Sequence, residues 1–235
     1  MGNGRKRKAS IKLKTAAFAP IPKERLRIEV AATPRRLESH RRARRKSSAM
    51  PDTASILDRR RWEQKHRDAK FLGEPAPFLL ECRPHLPPGR ALDLACGLGA
   101  NALYLAGEGF EVEAFDWSTE GLKMLAAAAR ETGRPVGAVA CDLTRFPLPR
   151  ERYDVLVSIR FLDRSLWPSM VESLRPGGAL VLETFNRRYR ETRPDFPEAY
   201  CLEEGELLRA FGATLRIARY QELPREPSAS LLAFR

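Results

Sequence analysis

The chain has 235 residues, with 42 Lys and Arg against 30 Asp and Glu and a formal net charge of +12. That length suits one domain with an appendage and a substantial buried core, and no apolar run approaches the ~18 residues a membrane span requires. The charge is unevenly placed: residues 1–50 hold 16 Lys or Arg against Glu24, Glu29 and Glu38, which leaves 26 basic and 27 acidic residues beyond them, so the excess sits in a tail.

The tail 1–50 ends in the run Arg41-Arg42-Ala43-Arg44-Arg45-Lys46. Like charges at this density repel and little apolar surface is available to bury, so a disordered extension is expected. It reads in three ways: a nucleic-acid-binding arm acting on phosphates, an Arg-rich targeting peptide, or a solvated stretch ahead of a native start at Met50. Residues 51–235 are expected to form the folded domain. From Ile56 the pattern is helical, with Leu57, Arg61 and Trp62 preceding a polar stretch to Lys70. Pro75–Leu86 supplies Phe78, Leu79 and Leu80 for a second short helix, which Pro87-Pro88-Gly89 breaks. Strand and helix periods then alternate. Strands are expected at Ala91–Leu94, Glu111–Phe115, Val136–Cys141, Tyr153–Ile159, Ala179–Thr184, Thr214–Tyr220 and Ser228–Phe234. Helices are expected at about Gly99–Glu108, Ser118–Thr132 with Ser118 as N-cap, Arg164–Leu174 and Leu202–Phe211. Repeated β-α-β implies a doubly wound, mostly parallel seven-stranded sheet with helices on both faces. The gap before the last strand is too short for a helical crossover, so that strand is expected to be antiparallel.

Cys82, Cys96, Cys141 and Cys201 stand far apart, and His40, His66 and His85 do not group with them. No metal site and no disulfide framework is expected, and the composition suits a reducing, cytoplasmic compartment.

The chemistry concentrates in Leu92-Asp93-Leu94-Ala95-Cys96-Gly97-Leu98-Gly99-Ala100-Asn101-Ala102. Gly97 and Gly99 permit a tight turn and close approach of a ligand between strand and helix. Taken alone, the segment fits the dinucleotide fingerprint G-x-G-x-x-A equally well, and Asp116 at the end of the next strand suits ribose recognition in either case. Three features separate the readings. Asp93 places a carboxylate beside the helix N-terminus, where it would repel a phosphate and attract a cation. Asp142 follows the third strand, within reach of an adenine amino group. Leu174-Arg175-Pro176-Gly177-Gly178 turns from helix into an apolar strand.

In this order and spacing, Asp93–Gly99, Asp116, Asp142, Tyr153-Asp154-Val155-Leu156 and the Leu-Arg-Pro-Gly-Gly turn resemble the class I S-adenosylmethionine (SAM)-dependent methyltransferases, from about Trp62 onward. The resemblance implies that Ala95, Cys96, Gly97 and Gly99 shape the loop under the methionine part of SAM, position 95 being Ala where many relatives carry Gly. It further implies that Asp116 accepts the ribose hydroxyls and Asp142 the adenine amino group, with Trp117 and Leu143 flanking the adenine. Phe161-Leu162-Asp163-Arg164, Leu166-Trp167-Pro168, Leu182-Glu183-Thr184-Phe185-Asn186 and Pro194-Asp195-Phe196 are similar to small bacterial methyltransferases of the tellurite-resistance and thiopurine-like groups. The expected function is methyl transfer to a small-molecule acceptor, with Arg160 and Arg164 as residues that would attract an anionic one. Ser158-Ile159-Arg160-Phe161 stands where DNA amino-methylating enzymes carry Asn/Asp-Pro-Pro-Tyr/Phe, which counts against that chemistry. RNA methylation through the basic tail, a SAM-binding module without transfer and an NAD-dependent oxidoreductase are the alternatives. Trp62 and Trp167 read as packing, Cys96 and Cys141 as small buried side chains, and His66 and His85 have no partner in the pattern.

Overall fold

The computed structural model describes residues 29–30, 53–69, 71–223 and 226–235. The three readings of the basic tail fall outside these, apart from a two-residue strand, β1 (Glu29–Val30). The remaining strands are β2 (Arg90–Leu94), β3 (Glu111–Asp116), β4 (Val136–Ala140), β5 (Tyr153–Ile159), β6 (Leu174–Phe185), β7 (Arg216–Gln221) and β8 (Ser228–Phe234). The helices are α1 (Thr53–Arg67), α2 (Pro77–Cys82), α3 (Ala100–Gly107), α4 (Thr119–Glu131), α5 (Trp167–Ser173), α6 (Tyr189–Thr192) and α7 (Glu206–Phe211).

One sheet runs β1-β4-β3-β2-β5-β6-β8-β7. The seven strands read from the sequence are all present, with β1 added beside β4. Strands β1 to β6 pair in parallel, and β8 lies antiparallel between β6 and β7. Each central strand feeds both faces, which is why its sequence is almost uninterruptedly apolar. Ala91, Val155, Val157, Ala179 and Val181 pack with Leu79, Leu105, Leu122 and Leu125 of α2, α3 and α4. Their neighbours Leu92, Leu94, Leu156, Leu180 and Leu182 face Met170 of α5 and Leu207 and Phe211 of α7.

Two boundaries differ from expectation for local reasons. Leu174 already pairs with Tyr153, so β6 starts before the Arg-Pro-Gly-Gly turn, which bulges out and lets Val155 meet Ala179. Gly178 is required there, because a Cβ would lie 2.9 Å from the Arg175 carbonyl oxygen and 3.1 Å from that of Tyr153. The last helix begins at Glu206 rather than Leu202, since Gly205 adopts φ 64° and Leu202 forms a bridge to Asn186.

Candidate functional site

Strands β2, β3, β5 and β6 all end at the same edge of the sheet, where a doubly wound fold places its ligand. At that edge β2 runs into the glycine loop. Cys96 N donates to Phe115 O at 3.0 Å and Gly99 N to Cys96 O at 2.8 Å, folding the loop back before α3 begins. Gly97 and Gly99 have φ of 55° and 85°, and a Cβ on Gly99 would meet Leu125 Cδ1 at 2.5 Å. Ala95 has φ 57°, in the region favouring glycine. The Ala95 methyl is therefore carried against backbone strain.

Asp93 is 1% exposed at the end of β2. It accepts a hydrogen bond from the Ala102 backbone in the first turn of α3, while its Oδ2 is buried without a hydrogen-bond partner. Burial, reinforced by the charge of Asp116, pushes its carboxyl up to about 8. A cation placed here would relieve that cost, whereas a phosphate would add to it. The carboxylate also takes up one of the helix N-terminal donors that a pyrophosphate would need. This geometry favours a sulfonium and ammonium ligand over a dinucleotide.

Asp116, at the end of β3, is 6% exposed. Its Oδ2 accepts from Gly97 N and its Oδ1 from Ser118 N, each at 2.8 Å. These bonds tie it to the glycine loop and leave further lone pairs on the carboxylate. Burial raises its pKa against those bonds and the nearby imidazole of His66. Trp117, the next residue, is half-buried, and Leu143 is buried beside the end of β4. Asp142 forms a local turn: Oδ1 accepts from Thr144 N at 3.0 Å and Thr144 Oγ1 at 2.7 Å, with Arg145 Nε 3.7 Å from Oδ2. Cys96 is half-buried in the loop, and burial first, then Asp116 and Asp93, raise its thiol well above the ordinary value. The thiol is thereby held neutral.

Helix α1 lies over this loop and contributes two residues that carry no motif. The Glu63 carboxylate accepts from Thr119 N at 2.9 Å, Glu120 N at 3.2 Å, Thr119 Oγ1 at 3.1 Å and Ser118 Oγ at 3.1 Å, capping α4 from outside. Ser118 still caps the helix itself, its Oγ accepting from Gly121 N at 3.1 Å. His66 is 6% exposed, and its ring sits against Gly97 and Gly121. A Cβ on Gly121 would lie 2.5 Å from Gly97 O and 2.9 Å from His66 Nδ1, so three elements meet at that glycine. Burial lowers the His66 pKa, with Asp116 opposing.

The two candidate substrate arginines separate. Arg160 directly follows β5 with φ 57°, exposed at the sheet edge. Arg164 does not face that edge as an available cation. Its guanidinium donates to both Glu206 oxygens, to Ala199 O and to Cys201 O, because it clips the 186–205 segment onto α7. That segment leaves β6 at Asn186 and returns at Leu202, which bridges back to Asn186.

The comparisons with known proteins agree with this geometry. Residues 91–178 match the family model described as a methyltransferase domain. A stretch of 140 residues is 31% identical to ubiquinone biosynthesis O-methyltransferase of Burkholderia ambifaria, covering 55% of this chain and 60% of that protein. The chain thus spans about 60% of the length of the relatives it matches. The fold is shared with an S-adenosylmethionine-dependent methyltransferase from Mesorhizobium loti (TM-score 0.56, 20% identity, 66% of this chain and 96% of that one). It is shared also with TehB from Haemophilus influenzae (TM-score 0.58, 19% identity, 75% of this chain and 66% of that one). Motif order, sheet topology and domain match agree in likening residues 91–178 of this chain to a methyltransferase domain.

Proposed function

We propose that this protein transfers a methyl group from SAM to a small-molecule acceptor. The observation that carries the reading is the buried, unpartnered Asp93 Oδ2 beneath a glycine loop pinned by Asp116. SAM, when bound, supplies a methyl group already activated on a sulfonium, so the protein's work is to position two reactants and exclude water. Asp93 would hold the positive methionine end, with Ala95, Cys96, Gly97 and Gly99 giving the loop its close approach. Asp116 would accept the ribose hydroxyls through its remaining lone pairs, and Asp142 the adenine amino group, with Trp117 and Leu143 against the adenine faces. Arg160 is the cation we assign to the acceptor side. Residues 51–235 would form the transferase domain and 1–50 a basic extension. The small-molecule assignment draws support from the Burkholderia relative, named for ubiquinone biosynthesis. Among the described residues no helix is long and apolar enough to cross a membrane, and the four cysteines are free. Free thiols fit a reducing, cytoplasmic compartment.

Isothermal titration of the full chain with SAM and with its demethylated product tests this reading. Both are expected to bind, and a folded protein that binds neither would overturn it.

A further inference from the structure

Over its described side chains, Arg60 to Arg67, helix α1 meets the cofactor loop through polar groups that form one unbroken chain of contacts. The Glu63 carboxylate holds the first turn of α4 through Thr119 N, Glu120 N, Thr119 Oγ1 and Ser118 Oγ, at 2.9 to 3.2 Å. One turn later, His66 sets its ring against two glycines. A Cβ on Gly97 would lie 3.6 Å from Nε2, and one on Gly121 would lie 2.9 Å from Nδ1 and 2.5 Å from Gly97 O. Gly97 N in turn donates to Asp116 Oδ2 and Ser118 N to Asp116 Oδ1, each at 2.8 Å. None of these α1 side chains belongs to either apolar core, and among them His66 alone is buried. The described part of α1 is therefore seated by Glu63 and His66.

The seat suits only a neutral imidazole. His66 Nδ1 is buried without a hydrogen-bond partner. A neutral ring carries N–H on one nitrogen, whereas a charged ring carries it on both, so protonation would leave a buried cationic N–H unsatisfied. Burial accordingly lowers the His66 pKa; Asp116 at the end of β3 opposes this, Lys65 on α1 adds to it, and Glu63 opposes it. The remaining neighbours are settled: Glu120 of α4 pairs with Lys123 at 2.9 Å, and burial keeps the Cys96 thiol of the glycine loop neutral. Because the docked value lies below the ordinary one, docking is at full strength above about pH 6.5 and weakens as pH falls from there through the docked value.

We propose that Glu63 and His66 are positioning residues for SAM: docked α1 braces the Gly97–Gly121 junction, and with it the glycine loop and Asp116. This rests on the methyltransferase reading above. Undocking removes four bonds from the start of α4 and the ring that lies against Gly97, so the loop and the Asp116 carboxylate lose the wall that fixes them. By reciprocity, a cofactor on the loop holds α1 down, and acid that releases α1 weakens the cofactor.

The test uses the full chain and S-adenosylhomocysteine, titrated first at about pH 7.5, above the ordinary imidazole range; failure to bind there overturns the methyltransferase reading rather than this one. Amide hydrogen exchange across α1 is expected to slow about tenfold on binding. His66→Ala should weaken binding by about tenfold, a common size for coupling between two sites. His66→Phe refills the junction with a ring that takes no proton and should recover most of that loss. Glu63→Gln should speed α1 exchange and weaken binding together. Towards about pH 5.5 the unaltered protein should lose affinity more steeply than His66→Phe, and its α1 should open to exchange; Asp93 titrates in both and drops out of the difference. Exchange in α1 that ignores the ligand, unchanged affinity in both His66→Ala and Glu63→Gln, or one acid profile shared by the unaltered protein and His66→Phe would overturn the proposal.

Discussion

A buried carboxylate without a full set of partners is costly, and Asp93 shows how that cost is linked to binding. Its carboxyl is pushed up to about 8 by burial first and by Asp116 next, so it holds a proton near neutrality. A cation beside Oδ2 reverses the balance and expels that proton. SAM binding at pH 7 is therefore expected to release about one proton, measured by calorimetry in buffers of differing ionisation enthalpy. Release should vanish in Asp93→Asn, and no release from the unaltered protein would contradict the assignment. The same shift fixes the sign for stability. Because the folded value lies above the unfolded one, Asp93 contributes stability that is complete below about pH 4 and is lost as pH rises towards 8. Thermal denaturation with and without SAM should show the ligand's stabilisation growing across that window. Asp116 behaves differently, since its oxygens already accept from Gly97 N and Ser118 N. Asp116→Ala removes the loop tether together with the oxygens we propose as ribose acceptors. We expect SAM affinity to fall by about 1–3 kcal/mol, with equilibrium titration as the measure; unchanged affinity would remove Asp116 from the site.

At the scale of elements, α1 decides how the glycine loop is covered. Glu63 satisfies the first donors of α4, and although burial works against its charge, the bonds from Thr119, Glu120 and Ser118 hold its pKa below the ordinary value. Its contribution is thus present above the usual carboxylate range and lost as pH falls through the depressed value. Loss of this external cap in Glu63→Ala is expected to destabilise the fold by about 1–2 kcal/mol, read from denaturant midpoints. Gly121→Ala attacks the same junction sterically, because its methyl meets Gly97 O and the His66 ring; a loss of roughly 1–3 kcal/mol follows from overpacking. If both variants melt like the parent, α1 does not seat against α4. Neither Glu63 nor His66 was legible in the sequence, and the reason is physical. Asp93, Gly97, Gly99 and Asp116 stand where a strand must turn into a helix, so local backbone demands reveal them. Glu63 reaches Thr119 across 56 positions, and nothing near Glu63 encodes that meeting. Arg160 and Arg164 make the same point, being one residue type four positions apart. Arg164 is drawn into Glu206 and two carbonyls by a loop whose return path no local pattern gives, whereas Arg160 keeps to the sheet edge. The strands were legible because burial on two faces makes them apolar throughout, and the start of β6 was not, because a bulge hides the pairing of Leu174 with Tyr153.

At the scale of the whole molecule, charge and fold divide. The 16 Lys and Arg of residues 1–50 lie in a stretch whose described residues give the sheet β1, the two-residue pairing beside β4. Among the described residues both apolar cores lie beyond position 70, and a chain beginning at Met50 is expected to retain the packing that supplies most of the folding free energy. It is expected to melt within a few degrees of the full chain, by ~1 kcal/mol or less for two strand residues, and to bind SAM with unchanged affinity. Nucleic acid separates the two forms. Phosphate neutralisation by a basic arm makes affinity fall steeply with salt, whereas a near-neutral domain has no such slope. If the tail recruits RNA, the full chain should bind a single-stranded oligonucleotide with steep salt dependence and the Met50 form should not. Transfer to that RNA by the full chain alone would move the acceptor from small molecule to nucleic acid. Equal transfer to a small-molecule acceptor by both forms would instead place recognition wholly beyond the tail, because the residues there survive the deletion and the tail's cations do not.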